Sequence, residues 1–229
     1  MSGSNWTSEV LAVLGKELRV ELRSRVALNA VGLFALSTLV AVAYQIGPYR
    51  LPAADRPFVL AALLWVILFF AATSGLPRVF VKEEDARTAK TLRLAAPPLA
   101  VFGGKLLFNL LLLLALQAVV VPLYCVLMGF TVAGVGPLTL VMVAGAVAMA
   151  TITTMVAAII ARASGSNTLF AVLAVPLVLP LLVILIQGTQ AAATEPALAA
   201  VLPSLRATLS VAGVTMVASL YLFPAVWHD

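Results

Sequence analysis

The sequence is nearly without the side chains from which metal centres and catalytic dyads are built: 229 residues contain one cysteine and one histidine. Cys125 stands alone in an apolar run, which leaves neither a disulfide framework nor a thiolate metal site within the chain. His228 lies next to the last residue. That position excludes a paired-histidine metal site and a histidine-centred triad, and it places no histidine inside a membrane to hold a porphyrin iron. Charge is equally scarce, at 10% of residues. A water-soluble domain cannot cover its surface at that fraction. No glycine-rich loop ends in Gly-Lys-Ser or Gly-Lys-Thr; the nearest run, Gly103-Gly104-Lys105, continues into Leu106. Nucleotide is therefore not held here by a P-loop.

What is present is hydrocarbon. Apolar residues make up 63% of the chain, and the mean hydropathy is +1.13, so the bilayer is the solvent. Six stretches are long enough to cross it: Val26 to Ile46, Pro57 to Leu76, Leu106 to Gly129, Pro137 to Ile160, Leu169 to Gln187 and Ala207 to Trp227. None contains Asp, Glu, Lys or Arg. Backbone groups in hydrocarbon must be satisfied within the segment, and continuous hydrophobicity does not fit alternating barrel strands. The expected fold is all-α, a polytopic membrane protein of about six transmembrane helices. Spans and short loops account for nearly all of residues 1–229 as one transmembrane domain, with no room for a soluble catalytic unit. The lack of intramembrane carboxylates weighs against a carrier driven by protons or sodium. Energy would have to come from another subunit.

The net charge of +5 follows the connections rather than a soluble face, which argues against nucleic acid as a partner. Four Lys and Arg lie in residues 1–25, two at Arg50 and Arg56, six between Arg78 and Lys105, and one each at Arg162 and Arg206. Alternate sides hold eleven and three. Retention of basic residues in the cytoplasm puts both termini and the connections at 77–105 and 161–168 inside. The turns near 47–56, 130–136 and 188–206 face out. Residues 1–25 are too polar and too mixed in charge for a cleavable signal peptide, so the amino terminus is expected to be retained.

Within residues 1–25, Leu11, Leu14, Leu18 and Leu22 share one face of a helical wheel, and Lys16, Arg19 and Arg23 cluster on another. This pattern suits an amphipathic helix lying in the cytoplasmic interface, leucines in the acyl boundary and cations among anionic headgroups of the lipid bilayer. A soluble helix packed on the loop at 77–105 is the alternative. That loop carries Arg78, Lys82, Glu83, Glu84, Asp85, Arg87, Lys90 and Arg93 ahead of Pro97 and Pro98. Its mixed charge exceeds what topology requires. One reading is a docking surface built on a short helix from Lys82 to Ala95; the other is a solvated loop. In the fifth span Pro176 and Pro180 each remove a backbone hydrogen bond, which makes either a hinge or a structural kink. In the fourth span Ala144, Ala148 and Thr151 recur at a spacing suited to close helix contact.

With these residues in view, the chain resembles the CcmB family, the membrane subunit of the haem exporter complex of bacterial cytochrome c maturation. The run Lys16-Glu17-Leu18-Arg19-Val20-Glu21-Leu22-Arg23 resembles the family's amphipathic start. Leu76, Arg78, Phe80, Glu83, Glu84, Thr88, Leu92, Leu94 and the segment Pro97 to Lys105 follow its first large cytoplasmic loop. Pro176-Leu177-Val178-Leu179-Pro180-Leu181-Leu182 resembles its proline-containing fifth span. The loop departs from the family at Arg87-Thr88-Ala89-Lys90, where members tend to carry a Gly-Thr-Leu-Glu-like sequence.

The resemblance implies a permease subunit of an ATP-binding cassette complex in the bacterial inner membrane. It would hydrolyse nothing itself, and its loop at 78–98, Phe80 included, would dock a soluble ATPase that binds the ATP. A haem-handling membrane protein would complete the complex, with haem as the cargo of the whole and no cofactor bound by this chain. The usual architecture of such permeases suggests a homodimer. An exporter permease for lipid, drug or polysaccharide and a non-transporting membrane scaffold are the competing expectations.

Overall fold

The computed structural model describes residues 6–47, 51–76, 80, 92, 96–162 and 167–228. Its elements are α1 (Trp6–Ser24), α2 (Val26–Ile46), α3 (Arg56–Gly75), α4 (Pro98–Met128), α5 (Val135–Arg162), α6 (Asn167–Thr194) and α7 (Leu198–His228). No strand occurs among the described residues. Helices α2 to α7 are long and apolar enough to cross a membrane, which makes this an all-α polytopic membrane protein. α1 is the polar exception.

Three helices outrun by a turn or more the hydropathy that announced them. α4 starts at Pro98, not Leu106, and α7 starts at Leu198, not Ala207. A charge ends a hydrophobic window but does not end a helix. At α4 the start is set by Pro97, extended at φ −65° and ψ 148°, with Pro98 in the first turn where no amide hydrogen is needed. Its other end is closed by Gly129 in the left-handed region, φ 58°, whose N–H donates to the Cys125 carbonyl. α6 likewise runs on to Thr194, so the connection to α7 is much shorter than the 188–206 turn expected from hydropathy.

α5 is the central helix, packed on α4, α6 and α7. Gly145 also admits α3, because a Cβ there would lie 2.4 Å from the Trp65 ring of that helix. The indole therefore rests against the α5 backbone, and its Nε1 donates to Thr189 Oγ1 of α6 at 2.8 Å. Tyr124 Oη of α4 donates to the Leu60 carbonyl of α3 at 2.7 Å. In α5, Thr151 and Thr153 return their hydroxyls to the Val147 and Met149 carbonyls one turn earlier. Polar groups at this depth have no water to turn to and must be satisfied by one another.

The end of the bundle remote from α1 is held largely by main chain. Ala133 and Gly134 donate to the carbonyls of Ala193 and Ala192 at 3.2 and 3.0 Å. Arg56 Nη2 donates to the Gly129 carbonyl at 2.9 Å, placing a cation on the negative end of the α4 dipole.

Candidate functional site

The opposite end is assembled from side chains. α1 lies across the start of α4 on a seat of two glycines. A Cβ on Gly104 would stand 2.6 Å from Val13 and 3.0 Å from the Val10 carbonyl, and one on Gly103 would stand 3.3 Å from Val10 Cγ2. The Gly103-Gly104-Lys105 run, which is not a nucleotide loop, is thus the surface on which α1 can approach closely.

Lys105 follows in the same turn. Its Nζ donates to Glu17 Oε1 at 2.7 Å, with the lysine side chain fully buried and the glutamate 6% exposed. Lys16 Nζ lies 3.7 Å from the same oxygen. Taking either charge out of water alone costs several kcal/mol, so each holds the other in place. One turn on, Glu21 Oε1 accepts the backbone N–H groups of Ala27 and Leu28 at 2.6 and 3.0 Å. The carboxylate so caps α2 across the corner at Arg25, a residue in the left-handed region at φ 54°.

Lys105 also stands over the Phe80 ring, 4.9 Å from its centroid, in a cation–π arrangement. Phe80 is buried and belongs to an aromatic group with Phe223 at 5.8 Å and Trp227 at 6.3 Å. Phe223 contacts Phe102 of α4 at 5.1 Å and stacks on Trp227 at 5.5 Å. One junction therefore ties together α1, the start of α4, the end of α7 and the connection that follows α3. Among the described residues it joins Phe80 of that connection to three helices.

The residues singled out from sequence fall as follows. Arg78, Lys82, Glu83, Glu84, Asp85, Arg87, Lys90 and Arg93, with all of the short helix expected at Lys82 to Ala95 but Leu92, lie outside the described residues. Phe80 is described, and its ring is directed into the protein, anchoring the connection. On α1 the protein-facing stripe is Val10, Val13, Glu17 and Glu21, while Leu11 and Leu22 are exposed and Leu14 and Leu18 half-buried. Arg19 and Arg23 are exposed and Lys16 half-buried. Pro176 and Pro180 lie inside α6, which continues through both, and both are exposed on its outer side.

Sequence reasoning passed over Glu17, Glu21 and Lys105. The signal was the spacing: Val10, Val13, Glu17 and Glu21 repeat at three and four residues, placing two carboxylates on an apolar stripe. Deeper in α4, Asn109 Nδ2 donates to Thr154 Oγ1 of α5 at 2.9 Å, and among the described residues its Oδ1 has no hydrogen-bond partner. Among the described residues no three His, Cys, Asp or Glu side chains converge as a metal site.

The family model described as CcmB protein matches residues 8–225. No curated protein matches the chain.

Proposed function

Because this chain belongs to the CcmB family, whose members are permease components of haem export systems of the ATP-binding cassette type in c-type cytochrome maturation, we propose that it couples ATP hydrolysis on a separate soluble subunit to a conformational change in the membrane. The chain acts as one permease domain over 1–229, multi-pass in the bacterial inner membrane with both termini cytoplasmic. The charged connection from Arg78 to Arg93 is the docking element, and a haem-handling membrane protein receives the effect. Haem is the cargo of the complex, and two copies of the chain pair within it.

The observation that supports coupling is the position of Phe80. A force applied to the charged loop reaches a ring packed on Phe223 and Trp227 of α7 and under Lys105 of α4, and through Lys105 it reaches Glu17 of α1. Close-packed interiors transmit displacement with little compression. Pro176 and Pro180 in α6, whose residues cannot donate into the helix ladder, supply a compliant segment for that displacement.

Mild-detergent purification of the tagged chain from its native membrane tests the reading. Co-purification of an ATPase and a haem-handling membrane protein is expected, and charge reversal at Arg78, Lys82 and Glu83 should abolish ATPase stimulation while the chain remains folded. Retention of stimulation after those reversals would remove the docking role, and purification without an ATPase would remove the coupling role.

A further inference from the structure

The two faces of α2 are packed unequally. Towards α3 the fit is tight, because a Cβ on Gly75 would meet Val31 Cγ2 at 2.3 Å. Towards α4 it is open: a Cβ on Gly32 would meet nothing within 4 Å. The gap forms two adjoining hollows of about 210 and 200 Å³, which share Leu28, Leu112 and Ala115 as walls. The first is bounded by Leu18 and Leu22 of α1, and the second reaches Leu36. At about 1.5 Å per residue, the α2 lining from Leu28 to Leu36 spans roughly 12 Å, most of one leaflet of a hydrocarbon core of about 30 Å. The groove is therefore close to one leaflet deep, and its lining is apolar apart from Glu21.

Cations follow in sequence the α1 residues that bound it. Arg19, Arg23 and Arg25 are exposed on and just after the α1 segment that carries Leu18 and Leu22. The carboxylate that borders the hollow, Glu21, is engaged by the Ala27 and Leu28 amides, and Glu17 is engaged by Lys105. An apolar slot of single-leaflet depth beneath three arginines matches a molecule with a hydrocarbon tail and an anionic head. We infer that the α2–α4 groove is a binding site for an anionic glycerophospholipid, one acyl chain lying against Gly32 and Ala115 and the phosphate among Arg19, Arg23 and Arg25. The site stands independently of the transport reading.

Reconstitution of the full chain in nanodiscs of phosphatidylethanolamine and phosphatidylglycerol, followed by native mass spectrometry, tests it. Retained phosphatidylglycerol is expected at more than roughly tenfold over its bulk share, the scale set by several cations beside one anionic headgroup. Gly32→Phe fills the groove and should remove the retained lipid; Leu36→Trp, at the deep end, should do the same and serves if the first variant does not fold. Gly213→Phe adds equal bulk on α7, where a Cβ also meets open space, and should change nothing. Replacing Arg19, Arg23 and Arg25 together by Gln should abolish the preference for phosphatidylglycerol. Retention of the two lipids in their bulk ratio by the unaltered chain would overturn the site, as would undiminished retention in both folded filling variants.

Discussion

The buried pair of Glu17 and Lys105 makes a quantitative prediction about stability. Removing one member leaves the other charge in a place built for two, at a cost of about 3–5 kcal/mol. Lys105→Met should fall at the lower end, since Lys16 still lies 3.7 Å from the Glu17 carboxylate. Glu17→Leu should fall at the upper end, because the carboxylate serves both lysines. The double variant Glu17→Leu/Lys105→Met exchanges the pair for side chains of similar volume and should lie within about 1 kcal/mol of the parent. The coupling energy is then about 5 kcal/mol or more in magnitude. The assay is the apparent free energy of unfolding in detergent micelles titrated with dodecyl sulfate, read by helix content for the four proteins of the cycle. If the double variant equals the sum of the singles within about 0.5 kcal/mol, the two side chains act independently, and the account of the junction is wrong.

Gly104→Ala should weaken α1 docking by about 1–3 kcal/mol, more than Gly103→Ala, and the ranking should appear as protease sensitivity within Trp6–Ser24. Thr189→Val should cost about 1–3 kcal/mol by leaving the Trp65 indole N–H unpaired, whereas Thr189→Ser keeps the acceptor and should cost less than about 1 kcal/mol, both measured by the same titration. Asn109→Leu should be nearly neutral, within about 1 kcal/mol, because one of its polar atoms is already unpaired; Thr154→Val, which strands the Asn109 amide, should be the more damaging of the two.

The membrane architecture was legible because hydrocarbon imposes a simple demand: every span from Val26 onward had to be apolar and helical. The family was legible in the Lys16 to Arg23 run and in the loop from Leu76 to Lys105. The junction was not. A carboxylate such as Glu17 has the same composition whether it meets water or Lys105, and only tertiary contact between residues far apart in sequence decides which. The limits of α4 and α7 were misplaced for a related reason, since hydropathy reads the side chain while a helix is propagated by the backbone. Phe80 was picked out for its place in the loop, and its depth beneath Lys105 depends on α7, at the far end of the chain.

The separation of 88 positions between Glu17 and Lys105 also sets a timetable for biogenesis. At about 5–20 residues per second, Lys105 leaves the ribosome roughly 4–18 s after Glu17. During that interval α1 has no glycine seat and its carboxylate has no counter-cation from α4, so it must wait at the water boundary while α2 and α3 enter as a hairpin. Formation of the pair then registers that α4 has inserted with its start on the correct side. A chain that stalls before Lys105 leaves Val10 and Val13 without the completed helix start on which they pack.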